Sequence, residues 1–193
     1  MLQKLCPIPQ NVSEWACMNM SQIDWIVLDT ETTGRPGEII DLAILNHEGK
    51  VIFDSLLKPT VSIPAEATKI HGITDNDVQD APSFAELWPI IQVKLLGKRL
   101  ITYNAEFDRN AFIFTSKRQH VELHDMDWEC LMKAYAAYRD KPNQYGSPKW
   151  HKLHEACYQQ GFEIIQAHRA LGDAWAAYEL MKRIAKDDQV NSM

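Results

Sequence analysis

The stretch Ile26-Val-Leu-Asp-Thr-Glu-Thr-Thr-Gly34 changes from apolar to acidic within a few residues. With Trp25 before it, the apolar run is typical of a central strand that is buried on both faces. Side chains two residues apart in a strand point to the same side, so Asp29 and Glu31 project together. They lie at the carboxyl end of the strand, where open α/β sheets usually place their chemistry. Two neighbouring acids repel each other unless a cation offsets their charge, which favours a functional site over a merely polar strand end.

Two more strands are predicted directly after this one. Residues 34–37, Gly-Arg-Pro-Gly, have the composition of a turn. They lead to the apolar stretch Ile39-Ile-Asp-Leu-Ala-Ile-Leu45, and residues 47–50 then close a hairpin onto residues 51–57. Three strands joined by short turns predict an antiparallel meander.

The rest of the chain alternates helical and strand patterns. We predict a helix at 84–96, a strand at 99–103, a helix capped by Asn104 and running to about Ser116, a strand at 127–131, and helices at 132–138, 153–158 and about 170–186. Residues 140–149 read as a polar loop. This order predicts an α/β fold, a mixed five-stranded sheet with helices on both faces. We expect a peripheral arm at 1–22, one domain at 23–187 and a tail at 188–193.

Length and composition are those of an ordinary soluble domain. The 193 residues are 46% hydrophobic and 24% charged, with no apolar run long enough to cross a membrane and no secretory signal at the start. Four scattered cysteines favour reduced thiols, and hence a cytoplasmic location, over disulfides or zinc. His151 and His154 are predicted to be solvated or capping residues rather than zinc ligands. The net charge of −6 argues against a protein that coats nucleic acid, but it is compatible with an acidic metal site.

A second acidic motif is Tyr103-Asn-Ala-Glu-Phe-Asp108. Asp108 lies one turn into the helix that Asn104 is predicted to begin. An acid there also complements the helix dipole, which by itself could explain its presence. Glu106 is expected to have only that second role.

A third motif is His168-Arg-Ala-Leu-Gly-Asp-Ala174. On a continuous helix, five residues separate two side chains by about 140°. His168 and Asp173 therefore converge only if Asp173 is on the last helix and His168 is on the loop before it. Four carboxylates and one imidazole on separate elements can hold divalent metals at a phosphodiester, which indicates a metal-dependent nuclease. The alternative is that these acids are ordinary surface charges.

The three motifs together resemble the DEDDh (DnaQ-like) family of 3′–5′ exonucleases, which includes the epsilon proofreading subunit of bacterial DNA polymerase III. The resemblance covers roughly residues 24–186, and Glu66-Ala-Thr-Lys-Ile-His-Gly-Ile-Thr74 is also similar to a family segment. It implies a ribonuclease-H-like fold and two divalent metal ions, Mg²⁺ or Mn²⁺.

The resemblance also implies roles for individual residues. Asp29, Glu31 and Asp173 would hold one metal, Asp29 and Asp108 would hold the second, and His168 would be the general base. The terminal nucleotide would be bound by Thr32, Glu66, Ile70, His71 and Phe107. The chain departs from the family at Tyr103, where members often have His.

The expected substrate is the 3′ end of single-stranded or frayed nucleic acid, with DNA favoured and nucleoside 5′-monophosphates as products. Two alternatives stay open: trimming of RNA 3′ ends, and a non-catalytic adaptor that binds nucleic acid. The metals alone do not distinguish DNA from RNA, because recognition of the 2′-OH depends on the shape of the pocket. The sequence does not identify a polymerase or repair partner.

Overall fold

The centre of the fold is strand β2 (Trp25–Thr32), around which the computed structural model arranges a single sheet. The structure describes residues 4–7, 9–139, 149–165 and 167–191. The other strands of the described chain are β1 (Lys4–Leu5), β3 (Ile39–Asn46), β4 (Val51–Leu56), β5 (Arg99–Thr102) and β6 (Asp127–Cys130). Their spatial order is β1-β6-β5-β2-β3-β4. Strands β2, β3 and β4 pair antiparallel and β1, β6, β5 and β2 pair parallel, so the predicted meander and mixed sheet are confirmed.

Eight helices accompany the strands in the described residues. They are α1 (Val12–Met20), α2 (Ala65–His71), α3 (Asp75–Val78), α4 (Phe84–Leu95), α5 (Ala105–Arg118), α6 (Leu131–Arg139), α7 (Leu153–Gln159) and α8 (Ala170–Asn191). The predicted helices match α4 to α8 closely, with α8 extending five residues further than expected. The predicted polar loop at 140–149 lies almost entirely outside the described residues.

The alternation of side chains along β2 divides the core in two. Trp25 and Val27 pack with the helices α1, α6 and α8, whereas Ile26 and Leu28 pack with α4 and α5. All four side chains are at most 1% exposed. The continuous apolar run therefore marks a strand covered on both faces, as predicted.

The segment before Asp24 differs from the predicted peripheral arm. Lys4–Leu5 adds a sixth, edge strand to the predicted five by pairing with β6. Helix α1 packs against α8, and its Ala16 is fully buried. The physical reason is that Ala16 lets two helices approach closely, a contact that a weakly periodic sequence does not reveal.

The two histidines that the sequence predicts to be solvated or capping differ in burial. His151 is only 4% exposed, so it is not solvated, whereas His154 is exposed as predicted. Among the described residues, no helix combines the length and apolar character that a bilayer crossing requires.

Candidate active site

Asp29 and Glu31 lie on the half of β2 that is paired on one side only. The pairing of β2 with β5 ends at Val27, whereas its pairing with β3 continues to Thr32. Both acids are half-buried and follow the alternation that places Val27 toward α8. The open side of the strand leaves room for side chains from other elements.

Asp108 approaches Asp29 and Glu31 from α5, which begins shortly after β5. It is 2% exposed, and Oγ1 of Thr30 donates a hydrogen bond to its Oδ1 at 2.9 Å. Asn104 occupies the predicted N-cap position of α5, but its side chain makes no capping hydrogen bond. The position of Asp108 one turn into the helix is therefore as predicted, although the cap itself is not.

His168 and Asp173 are arranged as the spacing requires, with His168 on the loop and Asp173 in the first turn of α8. His168 is exposed and has a φ of +62°, in the left-handed region. A residue other than glycine costs about 1–3 kcal/mol in that conformation, so its surroundings must hold it there. A ring nitrogen of His168 and a carboxylate oxygen of Asp173 lie within 4.8 Å of each other, so the two side chains are close together.

Residues of the first and third motifs converge in space. Glu31, His168 and Asp173 each offer one potential ligand atom, and these atoms lie within 4.8 Å of one another. The carboxylates also repel one another. Burial, followed by repulsion from Asp108, Asp173 and Glu31, raises the pKa of Asp29 well above its usual value.

The neighbouring acids behave alike. Burial, followed by repulsion from Asp173 and Asp41, raises the pKa of Glu31 to about 8. Burial raises the pKa of Asp108 to about 7, against the opposing effect of the Thr30 hydrogen bond. Burial also raises the pKa of Asp173, and the charge of His168 opposes this. A cluster in which every acid resists ionisation is stable as carboxylates only when cations are added.

The donor set fits divalent metal ions. The carboxylate oxygens suit Mg²⁺ and Mn²⁺, which prefer oxygen ligands. Oδ1 of Asp173 is buried without a hydrogen-bond partner among the described residues, as expected for an atom that would bind a cation. The candidate ligands are therefore Asp29, Glu31, Asp108 and Asp173, with His168 at their exposed side.

Asp41 is a fifth acid at the site that the sequence analysis does not single out. It lies opposite Glu31 in the β2–β3 ladder and is 1% exposed. Its Oδ2 accepts from Nε of Arg169 at 2.8 Å and from the backbone N–H of Ala170 at 3.2 Å. The feature of the sequence that could have identified Asp41 is the presence of a charged residue inside the apolar stretch 39–45.

The five predicted nucleotide-binding residues line one cavity of about 310 Å³ beside the acids. These are Thr32, Glu66, Ile70, His71 and Phe107, and Glu31 lines the same cavity. The structure thus brings together the residues of β2, α2 and α5 that sequence analysis assigns to the terminal nucleotide.

His71 is one of the buried polar residues that line this cavity. It is 7% exposed, and its Nδ1 accepts from the backbone N–H of Ile73 at 3.0 Å. Burial lowers the pKa of the imidazole, so the neutral ring carries its proton on Nε2. Nε2 is buried and makes no hydrogen bond of good geometry with the described residues, which leaves it able to donate to a ligand.

Arg35 lies where this cavity meets two others. It lines the cavity just described, a neighbouring one of about 260 Å³ beside Phe107, and one of about 540 Å³ that contains His168 and Asp173. Its guanidinium lies 4.9 Å from the centroid of the Phe107 ring. Arg35 has no carboxylate partner among the described residues.

Tyr103, the departure from the family pattern, also lines the cavity that contains His168. Its hydroxyl donates to the backbone carbonyl of His151 at 2.7 Å. Tyr103 thus anchors the chain that follows the undescribed residues 140–148, and it does not contact the acids by a hydrogen bond.

The known proteins that this chain resembles include exonucleases and a subunit of DNA polymerase III. A family model described as Exonuclease matches residues 26–181. The uncharacterized exonuclease CP81 of Escherichia phage 186 is 33% identical over 188 residues, which cover 93% of this chain and 94% of that protein. The DNA polymerase III subunit epsilon of Treponema pallidum is 28% identical over 178 residues, covering 88% of this chain and 80% of that protein.

Solved structures share the fold. Exonuclease X in complex with 5′-overhanging duplex DNA gives a TM-score of 0.64 at 23% identity, covering 86% of this chain and 93% of that chain. The nuclease domain of 3′hExo, a DEDDh family member bound to rAMP, gives 0.67 at 19% identity, covering 86% and 94%. The predicted ribonuclease-H-like fold class is confirmed.

Proposed function

Since this chain belongs to the DEDDh, DnaQ-like family of 3′–5′ exonucleases, we propose that it uses two divalent metal ions to release nucleoside 5′-monophosphates from the 3′ end of single-stranded or frayed DNA. The observation that carries the proposal is the convergence of Glu31, His168 and Asp173, with ligand atoms within 4.8 Å, beside a nucleotide-sized cavity. A surface cluster of unrelated acids would not lie next to such a cavity.

The metals would be held by the carboxylates. Asp29, Glu31 and Asp173 are proposed to bind one ion, and Asp29 with Asp108 the other. When bound, such ions lower the pKa of a water molecule and stabilise charge on the phosphate and on the leaving 3′ oxygen. Mg²⁺ and Mn²⁺ both suit this set of ligands.

His168 is proposed to act as the general base. Its exposed position at the edge of the acid cluster lets a ring nitrogen accept the proton of the attacking water. Imidazole is the side chain that proteins most often use as a general base. The protein's remaining task is to align the reacting groups.

The cavity lined by Thr32, Glu66, Ile70, His71 and Phe107 is proposed to hold the terminal nucleotide. Phe107 and Ile70 offer apolar contacts to a base, which tolerate any sequence. Nε2–H of His71 offers a hydrogen-bond donor inside the cavity. A cavity of about 310 Å³ is too small for a base pair, so the terminal base must be unpaired before it enters. Single strands and frayed ends should therefore be preferred.

DNA is favoured as the substrate because the chain's relatives include proteins named as DNA polymerase III epsilon subunits. The test compares DNA and RNA oligonucleotides of the same sequence, labelled at the 5′ end, with Mg²⁺. We expect a ladder of shortened, still labelled DNA products, released nucleoside 5′-monophosphates, and no reaction in EDTA.

Three results would change this conclusion. Release of the label as a mononucleotide would reverse the direction of cleavage. Activity in EDTA would remove the metals. Faster degradation of RNA than of DNA would make this an exoribonuclease.

A further inference from the structure

The ion pair between Asp41 and Arg169 connects two parts of the active site. Nε of Arg169 and the backbone N–H of Ala170 both donate to the same oxygen, Oδ2 of Asp41. The Asp41 side chain is 2% exposed, whereas that of Arg169 is 47% exposed. Asp41 therefore holds both a side chain and the backbone at the start of α8.

Asp41 is itself fixed firmly. It belongs to β3, faces Glu31 across the antiparallel ladder, and its neighbours Leu42 and Ala43 are fully buried. A carboxylate in the middle of a sheet has little freedom to move. Asp41 can therefore hold the loop that it contacts in a fixed position.

That loop carries His168. The backbone of His168 is left-handed, and Arg169 and Ala170 follow it directly. On the other side, the backbone N–H of Asp173 donates to the carbonyl of Arg169 at 3.0 Å, and a carboxylate oxygen of Asp173 lies within 4.8 Å of a ring nitrogen of His168. The unusual conformation of His168 is thus enclosed between Asp173 and the residues held by Asp41.

We propose that the Asp41–Arg169 pair is a positioning device for His168, which keeps the imidazole within reach of the ligand atoms of Glu31 and Asp173. This inference rests on the proposed role of His168 in phosphodiester hydrolysis. Asp41 and Arg169 act through His168, and neither touches the reacting atoms.

The chain offers a matched control. Arg118 pairs with Glu38, and its side chain is also 47% exposed while its partner is fully buried. Both pairs join an arginine to a buried carboxylate, although Nε lies 3.8 Å from Glu38 in one and 2.8 Å from Asp41 in the other, and Arg118 lies at the end of α5. A purely structural role of Arg169 would make Arg169→Ala behave like Arg118→Ala.

The first experiment measures kcat, KM and Tm with a DNA oligonucleotide and Mg²⁺. A misplaced reacting group can cost up to about 100-fold in rate, so we expect Arg169→Ala to lower kcat by about 10–100-fold with KM changed less than about threefold. Its Tm should fall no further than that of Arg118→Ala, whose kcat should stay near the wild-type value. Arg169→Lys should recover most of kcat, because its ammonium can reach the oxygen that Nε contacts.

The second experiment repeats Arg169→Ala in a His168→Ala background under single-turnover conditions. Residues that act as a unit have non-additive effects. We expect the double variant to be within about twofold of His168→Ala. An additive loss would overturn the proposal, as would equal behaviour of Arg169→Ala and Arg118→Ala.

A rise in KM at unchanged kcat would overturn it as well, in favour of a direct contact of Arg169 with the substrate. Failure of the proposed function has a different signature, because the wild-type protein would then show no EDTA-sensitive release of nucleotides at all.

Discussion

His168 differs from the acids around it in exposure. The carboxylates are buried or half-buried, whereas the imidazole is exposed at the mouth of the cluster. Buried acids are suited to holding cations, and an exposed imidazole is suited to exchanging protons with water. The two tasks can therefore be separated by substitution.

Replacement of His168 by Ala should lower kcat by roughly 10²–10⁴-fold, because the proposed general base is lost while the carboxylates remain. Calorimetry with Mn²⁺ should still detect metal binding. His120→Ala is the control, since His120 is also an exposed histidine with a left-handed backbone (φ +56°) and lies after α5. Wild-type turnover in the His168 variant would exclude His168 from the mechanism.

Arg35 is expected to contact the DNA strand next to the terminal nucleotide, because it is a cation without a carboxylate partner among the described residues and borders all three cavities. Loss of a hydrogen bond to a charged group costs about 1.5–3 kcal/mol, so Arg35→Ala should raise KM for oligonucleotides by about tenfold or more. The slope of log affinity against log salt should weaken by about 0.7, the contribution of one phosphate contact.

The matched variant for Arg35 is Lys117→Ala, which removes an exposed cation at the far end of α5. It should leave KM and the salt slope near the wild-type values. An unchanged salt slope in Arg35→Ala would show that Arg35 does not contact a phosphate.

At the scale of elements, sequence patterns identify a strand that is buried on both faces, but they miss contacts between elements that are far apart in the sequence. Strand β2 and its acids are predictable because a buried strand needs an apolar run, and the positions of Asp29 and Glu31 follow from its alternation. Helix α1 is not predictable in this way. It has nine residues, and a buried polar residue, Asn19, interrupts the row of apolar residues formed by Val12, Trp15, Ala16 and Met20.

Asp41 shows a second limit. Its position in an apolar strand is visible in the sequence, but its partner Arg169 is 128 residues away. Only the register of β3 against β2 and the path of the loop before α8 bring the two together. Convergence of the three motifs could be expected from their residue types, whereas the residues that position them could not.

The packing of α1 gives a prediction about stability. Ala16 is fully buried between α1 and the core, and Met18 on the same helix is 53% exposed. An unpaired buried charge costs about 3–5 kcal/mol, so Ala16→Asp should lower Tm by roughly 6–20 °C in thermal denaturation. Met18→Asp should change Tm little. Equal Tm values for the two variants would mean that α1 does not pack as described.

At the scale of the whole molecule, the acid cluster links stability to pH. The pKa of Glu31 is raised from its ordinary value of 4.5 to about 8 by burial and by repulsion from Asp173 and Asp41. Between these values the folded protein binds more protons than the unfolded chain, so the free energy of unfolding falls as pH rises from about 4.5 to about 8. This is the opposite of the usual behaviour of an acid in an ion pair.

Metal ions compete with these protons, so Mg²⁺ should raise Tm more at pH 8 than at pH 5. The measurement is thermal denaturation at both pH values, in EDTA and in excess Mg²⁺. Glu31→Gln should reduce the difference between the two pH values, and substitution of the exposed Glu122 by Gln should preserve it. Equal stabilisation by Mg²⁺ at both pH values would contradict the acidic cluster as a metal site.

The crowding of carboxylates around Asp29 also sets an order of assembly. Without cations these acids are largely protonated, and each one that ionises adds negative charge to a chain whose net charge is already −6. We therefore expect divalent ions to bind before the nucleic acid, which would make the apparent affinity for DNA a function of free divalent ion concentration. At low concentrations of these ions, the site would offer a phosphodiester neither a cation to bind nor relief from the charge of the acids.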